Sequence, residues 1–281
     1  MAVDTMNSQH VEQVKMKGVI IIRLCSEKDK DRLTTFLNSE PVFHTFLLAD
    51  IEQYGFDKDY QKVYVQEKEG VCEAVFLKYY SNFILAGDPE KIDYEKVSSV
   101  IGPEITTIMG NAEIVEKVIE KLQTKFNLIC NNLYVHEPKN ENVEEELKVA
   151  DLDDVERIHK FLMSFPEFRL MYAEKGMIVN RIKNNEGVHL FLEKDGEIIA
   201  HGNSAASAKK TCMIGGICVN KGYRHLGYAK IILKALCQYI ESLDKIPCIF
   251  AKENPEYSIF KELNFKKYGR WGVANIIKGD N

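Results

Sequence analysis

The stretch Ile214-Gly215-Gly216-Ile217-Cys218-Val219-Asn220-Lys221-Gly222-Tyr223-Arg224-His225-Leu226-Gly227-Tyr228-Ala229 decides how this chain is read. It opens as an apolar strand and passes through a glycine-containing turn. It then enters a helix on which Ala229, Ile232, Leu233, Leu236, Ile240 and Leu243 share one face. The first N–H groups of such a helix have no intrahelical partner and lie at the positive end of its dipole, so a diphosphate can settle there without a cationic side chain. Small residues at Gly227 and Ala229 let the backbone approach an anion. Downstream, Ile246-Pro247-Cys248-Ile249-Phe250-Ala251 reads as a buried strand, and Asn254-Pro255 as a helix start.

The strand 214–219 followed by Arg224-x-x-Gly227-x-Ala229 resembles the signature of the GNAT superfamily of acyl-CoA-dependent N-acyltransferases. Phe260-Lys261-Glu262-Leu263-Asn264-Phe265 is similar to that family's closing Tyr-x-x-x-Gly-Phe. The short pattern is weak alone, and its bland reading is a helix start that tolerates small residues. The order strand, loop, helix, strand, helix around it makes it specific. The resemblance implies that Ile217, Cys218 and Val219 offer backbone groups to pantetheine. It assigns Arg224, His225, Leu226, Gly227, Tyr228, Ala229 and Lys230 to the coenzyme A pyrophosphate, and Asn254 to the pantetheine amide or a water beside it.

With 281 residues, 45% apolar and 28% charged, the chain can build one large or two ordinary cores. A formal net charge of -5 argues against a general nucleic-acid binder, and no apolar run reaches the roughly 18–20 residues that span a bilayer. Seven cysteines without Cys-x-x-Cys or interleaved His spacing point to buried thiols rather than zinc or a disulfide framework. The first 17 residues lack the apolar core of a secretory signal, so a cytoplasmic location is expected, as monomer or homodimer.

The polar, acidic stretch around 138–146 reads as a connector between a half at 18–137 and a half at 147–281, after a polar segment at 1–17. Both halves open with a short apolar strand, charged residues and a helix. Val63 to Gly70 matches Leu190 to Gly196 as strand plus hairpin turn, which points to a duplicated fold. The first half has no Arg-x-x-Gly-x-Ala loop. Its Gly110-Asn111-Ala112-Glu113 precedes an amphipathic helix, where Asn111 is read as an N-cap rather than part of an anion site.

Acyl transfer to an amine requires alignment, removal of a proton from the ammonium, stabilisation of an oxyanion and protonation of the leaving thiolate. By the resemblance, a backbone N–H in Ile217–Val219 polarises the thioester carbonyl. The family's tyrosine corresponds to Phe260, which has no hydroxyl, while Tyr257 stands one turn earlier and is the candidate acid beside a structural tyrosine. Base candidates are Glu193, His201, Cys218 and Glu253. His201 also reads as a packed strand histidine, Glu193 as solvated, and Cys218 as a small strand residue. The aromatic segment 165–172 is read as packing or as a cap on the acceptor pocket.

The expectation is α/β: two tandem GNAT-like units, each a mixed twisted sheet flanked by helices, with acetyl-CoA entering the second. The expected activity is acetyl transfer to a primary amine of a small metabolite or amino acid, with no metal. The alternatives are a noncatalytic acyl-CoA-binding sensor, motivated by Phe260, and a protein-acetylating enzyme.

Overall fold

The computed structural model describes residues 18–56, 58–138, 147–169, 172–252 and 258–277. The first half holds β1 (Ile20–Leu24), α1 (Lys30–Leu37), α2 (Thr45–Tyr54), β2 (Gln61–Lys68), β3 (Val71–Tyr79), β4 (Asn82–Gly87), α3 (Tyr94–Val100), β5 (Thr107–Asn111), α4 (Ala112–Ile119) and β6 (Phe126–His136). The second holds β7 (Lys148–Val149), α5 (Val155–Met163), α6 (Gly176–Lys183), β8 (His189–Lys194), β9 (Glu197–Ser207), β10 (Thr211–Val219), α7 (Tyr228–Glu241), β11 (Ile246–Lys252), α8 (Ser258–Glu262) and β12 (Phe265–Ile276). No helix among the described residues is long and apolar enough to cross a membrane.

The duplication seen in the sequence is carried by the backbone. Glu69-Gly70 and Asp195-Gly196 turn the two matching hairpins with left-handed φ at both positions, 54° and 81° in the first and 51° and 80° in the second. This is the turn whose twist suits paired strands, and a glycine takes the second position at no steric cost. Each half also has one parallel pair, β4 with β5 and β10 with β11, set by a crossover helix or segment. Asn111 caps α4 by accepting from the Glu113 N–H at 3.0 Å, so that glycine-containing turn is a helix cap, as read from the sequence.

The two units stand in tandem, and their sheets are fused. One 12-stranded sheet runs β1-β2-β3-β4-β5-β12-β6-β11-β10-β9-β8-β7. The last strand of each half pairs inside the other: β12 lies against β5, and β6 lies against β11. Apart from Pro138, the connector expected at 138–146 falls outside the described residues.

On one face, α1 and α2 sit in a core shared by both halves. Val65, Leu77 and Ile84 come from the first half, while Met213, Cys248 and Trp271 come from the second. On the opposite face, α7 buries Ile232, Leu233, Leu236, Cys237 and Ile240 against β9, β10 and β11. Each such aliphatic side chain contributes about 1.5–3 kcal/mol relative to exposure. Leu243, expected on this stripe, lies beyond the end of α7 and is exposed. Helices α5 and α6 cover Phe191, Ile198 and Cys218 with Val155, Ile158, Leu162 and Ile178.

Candidate functional site

The site begins where β10 leaves β11. Their parallel pairing runs from Thr211↔Ile246 to Ile214↔Ile249 and stops, although β10 continues to Val219 and β11 to Lys252. At the same level β10 bulges. Gly215 stands opposite Asn203 and Cys218 opposite His201, so one extra residue is taken up between them. Gly216 absorbs it with a left-handed φ of +60°. The matching strands of the first half stay together through Leu85↔Gly110, where a Cβ on Gly110 would lie 2.5 Å from the Leu85 carbonyl oxygen. A gap between parallel strands therefore exists in the second half, at the bulge.

Beyond Val219 the chain turns through Asn220, whose side chain accepts from the Gly222 N–H, and reaches Gly227 at the start of α7 with φ +88°. A Cβ at Gly227 would meet nothing within 4 Å. Lys230 and Ile231 both donate to the Gly227 carbonyl, which leaves the N–H groups just before them without a helical acceptor. Leu226 is 64% exposed, and His225 takes a left-handed φ of +65° in the same open loop. The Arg224 Nε donates to the Val219 carbonyl at 3.3 Å, so this side chain folds back on the strand. Thus Ile217, Cys218 and Val219 border the gap, and residues 224–230 form the turn and first helical residues at its end.

Behind the bulge lies a buried polar network. His201 is fully buried, with Nδ1 2.9 Å from the Gly216 carbonyl and Nε2 2.9 Å from Nδ1 of His189. A carbonyl can only accept, so His201 carries its proton on Nδ1, its Nε2 accepts from His189, and the lone pair of His189 Nε2 is left over. Among the described residues no partner for that atom occurs, nor for the buried Asn203 Oδ1. Asn203 Nδ2 donates to the Tyr172 hydroxyl at 2.7 Å, and a Cβ on Gly216 would lie 2.8 Å from that hydroxyl.

Of the two readings of His201, this geometry fits the packed strand histidine. Burial pushes its imidazole down to about 4, and both ring nitrogens are engaged. Glu193, expected in solvent, is paired with Arg157 and with Lys148, the latter at 3.2 Å. Burial pushes the Cys218 thiol well above the usual range, which makes it an inert packed side chain. Glu253, Asn254 and Tyr257 lie outside the described residues. Phe260 is buried, stacked on Tyr134 of β6 at 4.7 Å and set edge-on to Phe265 at 5.6 Å. Asn264 takes the left-handed φ of 56° expected at the helix-ending position. The aromatic segment packs Phe161, Phe165, Phe168 and Tyr172 edge to face, and it also delivers the Tyr172 hydroxyl to the bulge. The network of His189, Asn203 and Tyr172 was not found from sequence; the polar side chains at alternate positions of an apolar strand, His201 and Asn203, were its only signal.

Residues 152–259 match the acetyltransferase (GNAT) family. With the parted parallel strands, the bulge and the glycine-led helix, the second half is a GNAT acetyltransferase domain. Solved structures share the tandem fold across the whole chain. A Drosophila protein aligns with a TM-score of 0.61 at 12% identity, over 92% of this chain and 99% of its own. A tandem GNAT protein from the clavulanic acid biosynthesis pathway aligns at 0.59 and 8%, over 94% and 100%. A GNAT-family acetyltransferase from Colwellia psychrerythraea aligns at 0.55 and 16%, over 92% and 100%. No curated protein matches the sequence.

Proposed function

We propose that this protein transfers the acetyl group of acetyl-CoA to a primary amine of a small metabolite or amino acid. The observation that carries the reading is the parting of β10 from β11 after Ile214 and Ile249, which frees the main-chain edge of Ile217, Cys218 and Val219 beside the start of α7. Coenzyme A fits these residues: the freed edge suits the amides of the pantetheine arm. The unpaired N–H groups around Gly227, in a turn with open space before it, suit the diphosphate, with Arg224 through Lys230 forming that turn.

Bound acetyl-CoA supplies an acyl group already activated as a thioester. The main-chain N–H groups of Ile217 to Val219 stabilise the developing oxyanion, and the bulge at Gly216 aims them. His201 holds the Gly216 carbonyl and so fixes the bulge; it positions and does not exchange a proton. By the resemblance Asn254 is assigned to pantetheine and Tyr257 is the candidate hydroxyl for the departing thiolate, a group of ordinary thiol acidity that needs little help. Retained turnover in Tyr257→Phe would remove that hydroxyl from the reaction.

Calorimetry with acetyl-CoA, followed by thiol release across a panel of amines, amino acids and peptides, tests the reading. Amine-dependent release supports it, and preference for peptides would favour protein acetylation instead. Binding without turnover on any amine would favour an acyl-CoA sensor, for which the buried Phe260 at the family's tyrosine position is the motivating observation.

A further inference from the structure

We propose that the acceptor is an amino acid, whose carboxylate is held by the Arg181 guanidinium and the Tyr172 hydroxyl over the bulge of β10. The inference rests on the acyl-transfer reading above and names the class of amine. Both residues belong to the stretch between α5 and β8, which covers the face of the sheet opposite α7.

Gly215 and Gly216 leave β10 bare where it parts from β11. The Asn203 amide and the Tyr172 hydroxyl lie over that bare backbone. A Cβ on Gly215 would stand 3.3 Å from Asn203 Oδ1, and one on Gly216 would stand 2.8 Å from the Tyr172 oxygen and 3.2 Å from Asn203 Nδ2. The hydroxyl thus adjoins the residue that precedes the freed edge of Ile217, Cys218 and Val219. Two anchors keep it there. The Tyr172 N–H donates to the Phe168 carbonyl at 2.9 Å, and the Tyr172 carbonyl accepts from His159 Nε2 at 3.0 Å.

Arg181, in the last turn of α6, reaches the same point. Its Cδ lies over Gly187, 3.1 Å from where a Cβ would stand, and its Nη2 donates to the Ala205 carbonyl at 2.9 Å. Ala205 is skipped in the β9–β10 register, between Ser204↔Ile214 and Ala206↔Met213, so its carbonyl is open to a side chain. The guanidinium is also hydrogen-bonded to the Tyr172 hydroxyl, and its charge is felt by His189, His201 and Cys212.

Valence then shows what the cluster lacks. The Tyr172 oxygen accepts from Asn203 Nδ2 and from Arg181, which uses both of its lone pairs. Its own hydrogen has no acceptor among the described residues, and the half-buried Arg181 has no carboxylate partner among them. A cation drawn this far out of water calls for an anion. A guanidinium fork beside a phenol O–H matches the two oxygens of a carboxylate. On the other side, Asn203 Oδ1 and His189 Nε2 are buried acceptors without a donor, on residues directly opposite each other in β8 and β9. An amino acid brings both complements: a carboxylate for the donors, and N–H groups for Asn203 Oδ1 beside Gly215. A simple amine brings no anion.

Thiol release from acetyl-CoA is measured with the common amino acids and β-alanine, with the amide of each, and with methylamine. Wild type is compared with Arg181→Gln, Arg181→Lys and Tyr172→Phe, with acetyl-CoA affinity by calorimetry and a melting temperature for each protein. In wild type, kcat/KM for the best amino acid is expected to exceed that for its amide by about a hundredfold or more. Arg181→Gln is expected to lower the amino-acid value about a hundredfold, mostly through KM, while the amide value and acetyl-CoA affinity stay within about twofold. Arg181→Lys is expected to recover part of the loss, and Tyr172→Phe to raise KM for the amino acid about tenfold. Wild type that acetylates an amide as well as its amino acid overturns the carboxylate site and leaves acyl transfer standing. That comparison needs no variant to fold. An Arg181→Gln enzyme that loses amino acid and amide alike shows a structural arginine and also overturns the site, as does one that loses neither. Wild type that binds acetyl-CoA but acetylates no amine overturns acyl transfer itself, and the carboxylate site falls with it.

Discussion

Two left-handed glycines on either side of Val219 have opposite surroundings, and substitution separates their roles. At Gly216 a Cβ would meet the Tyr172 hydroxyl at 2.8 Å and Asn203 Nδ2 at 3.2 Å, on a backbone with φ +60°. Gly216→Ala should therefore cost stability of about 1–3 kcal/mol and disturb the bulge. Urea denaturation would measure the first effect and thiol release the second. Gly227 has a similar φ of +88° but empty space before it. Gly227→Glu should fold at a cost of about 1–2 kcal/mol, and calorimetry should detect no acetyl-CoA binding because a carboxylate then faces the diphosphate. Unaltered affinity in that variant would place the diphosphate elsewhere.

Among the elements, β8, β9 and the turn before α2 each carry a buried neutral histidine. Burial pushes His44 and His201 down to about 4 and holds His189 well below the ordinary range. Their unfolded values are near 6.5, so the stability they confer is complete above about pH 6.5 and is lost as pH falls toward 4, where the unfolded chain binds protons the native state refuses. Asp50, raised to about 7, acts in the reverse sense over an overlapping range, since its native state binds the proton more tightly. Three groups outweigh one, and the urea midpoint should fall between pH 7 and pH 4.5. Asp29 takes no part in that window. Hydrogen bonding by Arg23 holds its carboxyl well below the usual range, so its share is lost only in stronger acid.

For the whole molecule, exchange of the last strands ties the halves into one cooperative body. Trp271, the one tryptophan of the chain, sits in β12 opposite Asn111 of β5 and Asn131 of β6, with Phe46 and Phe250 against its ring. It therefore reports the junction. Its fluorescence and the far-UV circular dichroism are expected to change in one coincident thermal transition. A fluorescence change that precedes the loss of secondary structure would show halves that part before they unfold. The same fusion brings α2 of the first half onto β9 and β10 of the second.

Local features were legible in the sequence because their causes are local. The glycine-led start of α7, its apolar stripe, the Asn111 cap, the paired hairpin turns and the left-handed Asn264 each follow from residues a few positions apart. So does the tandem α/β plan, since each half repeats the same order of short-range patterns. The two readings of His201, base and packed strand histidine, stayed open in the sequence because its hydrogen-bond partners are Gly216 and His189, which lie 15 and 12 residues away. The exchange of β6 and β12 and the carbonyl that fixes the histidine tautomers depend on pairings across the whole chain. Alternation along a strand states which face a side chain takes but not which strand lies next to it, and only the closed sheet makes that choice.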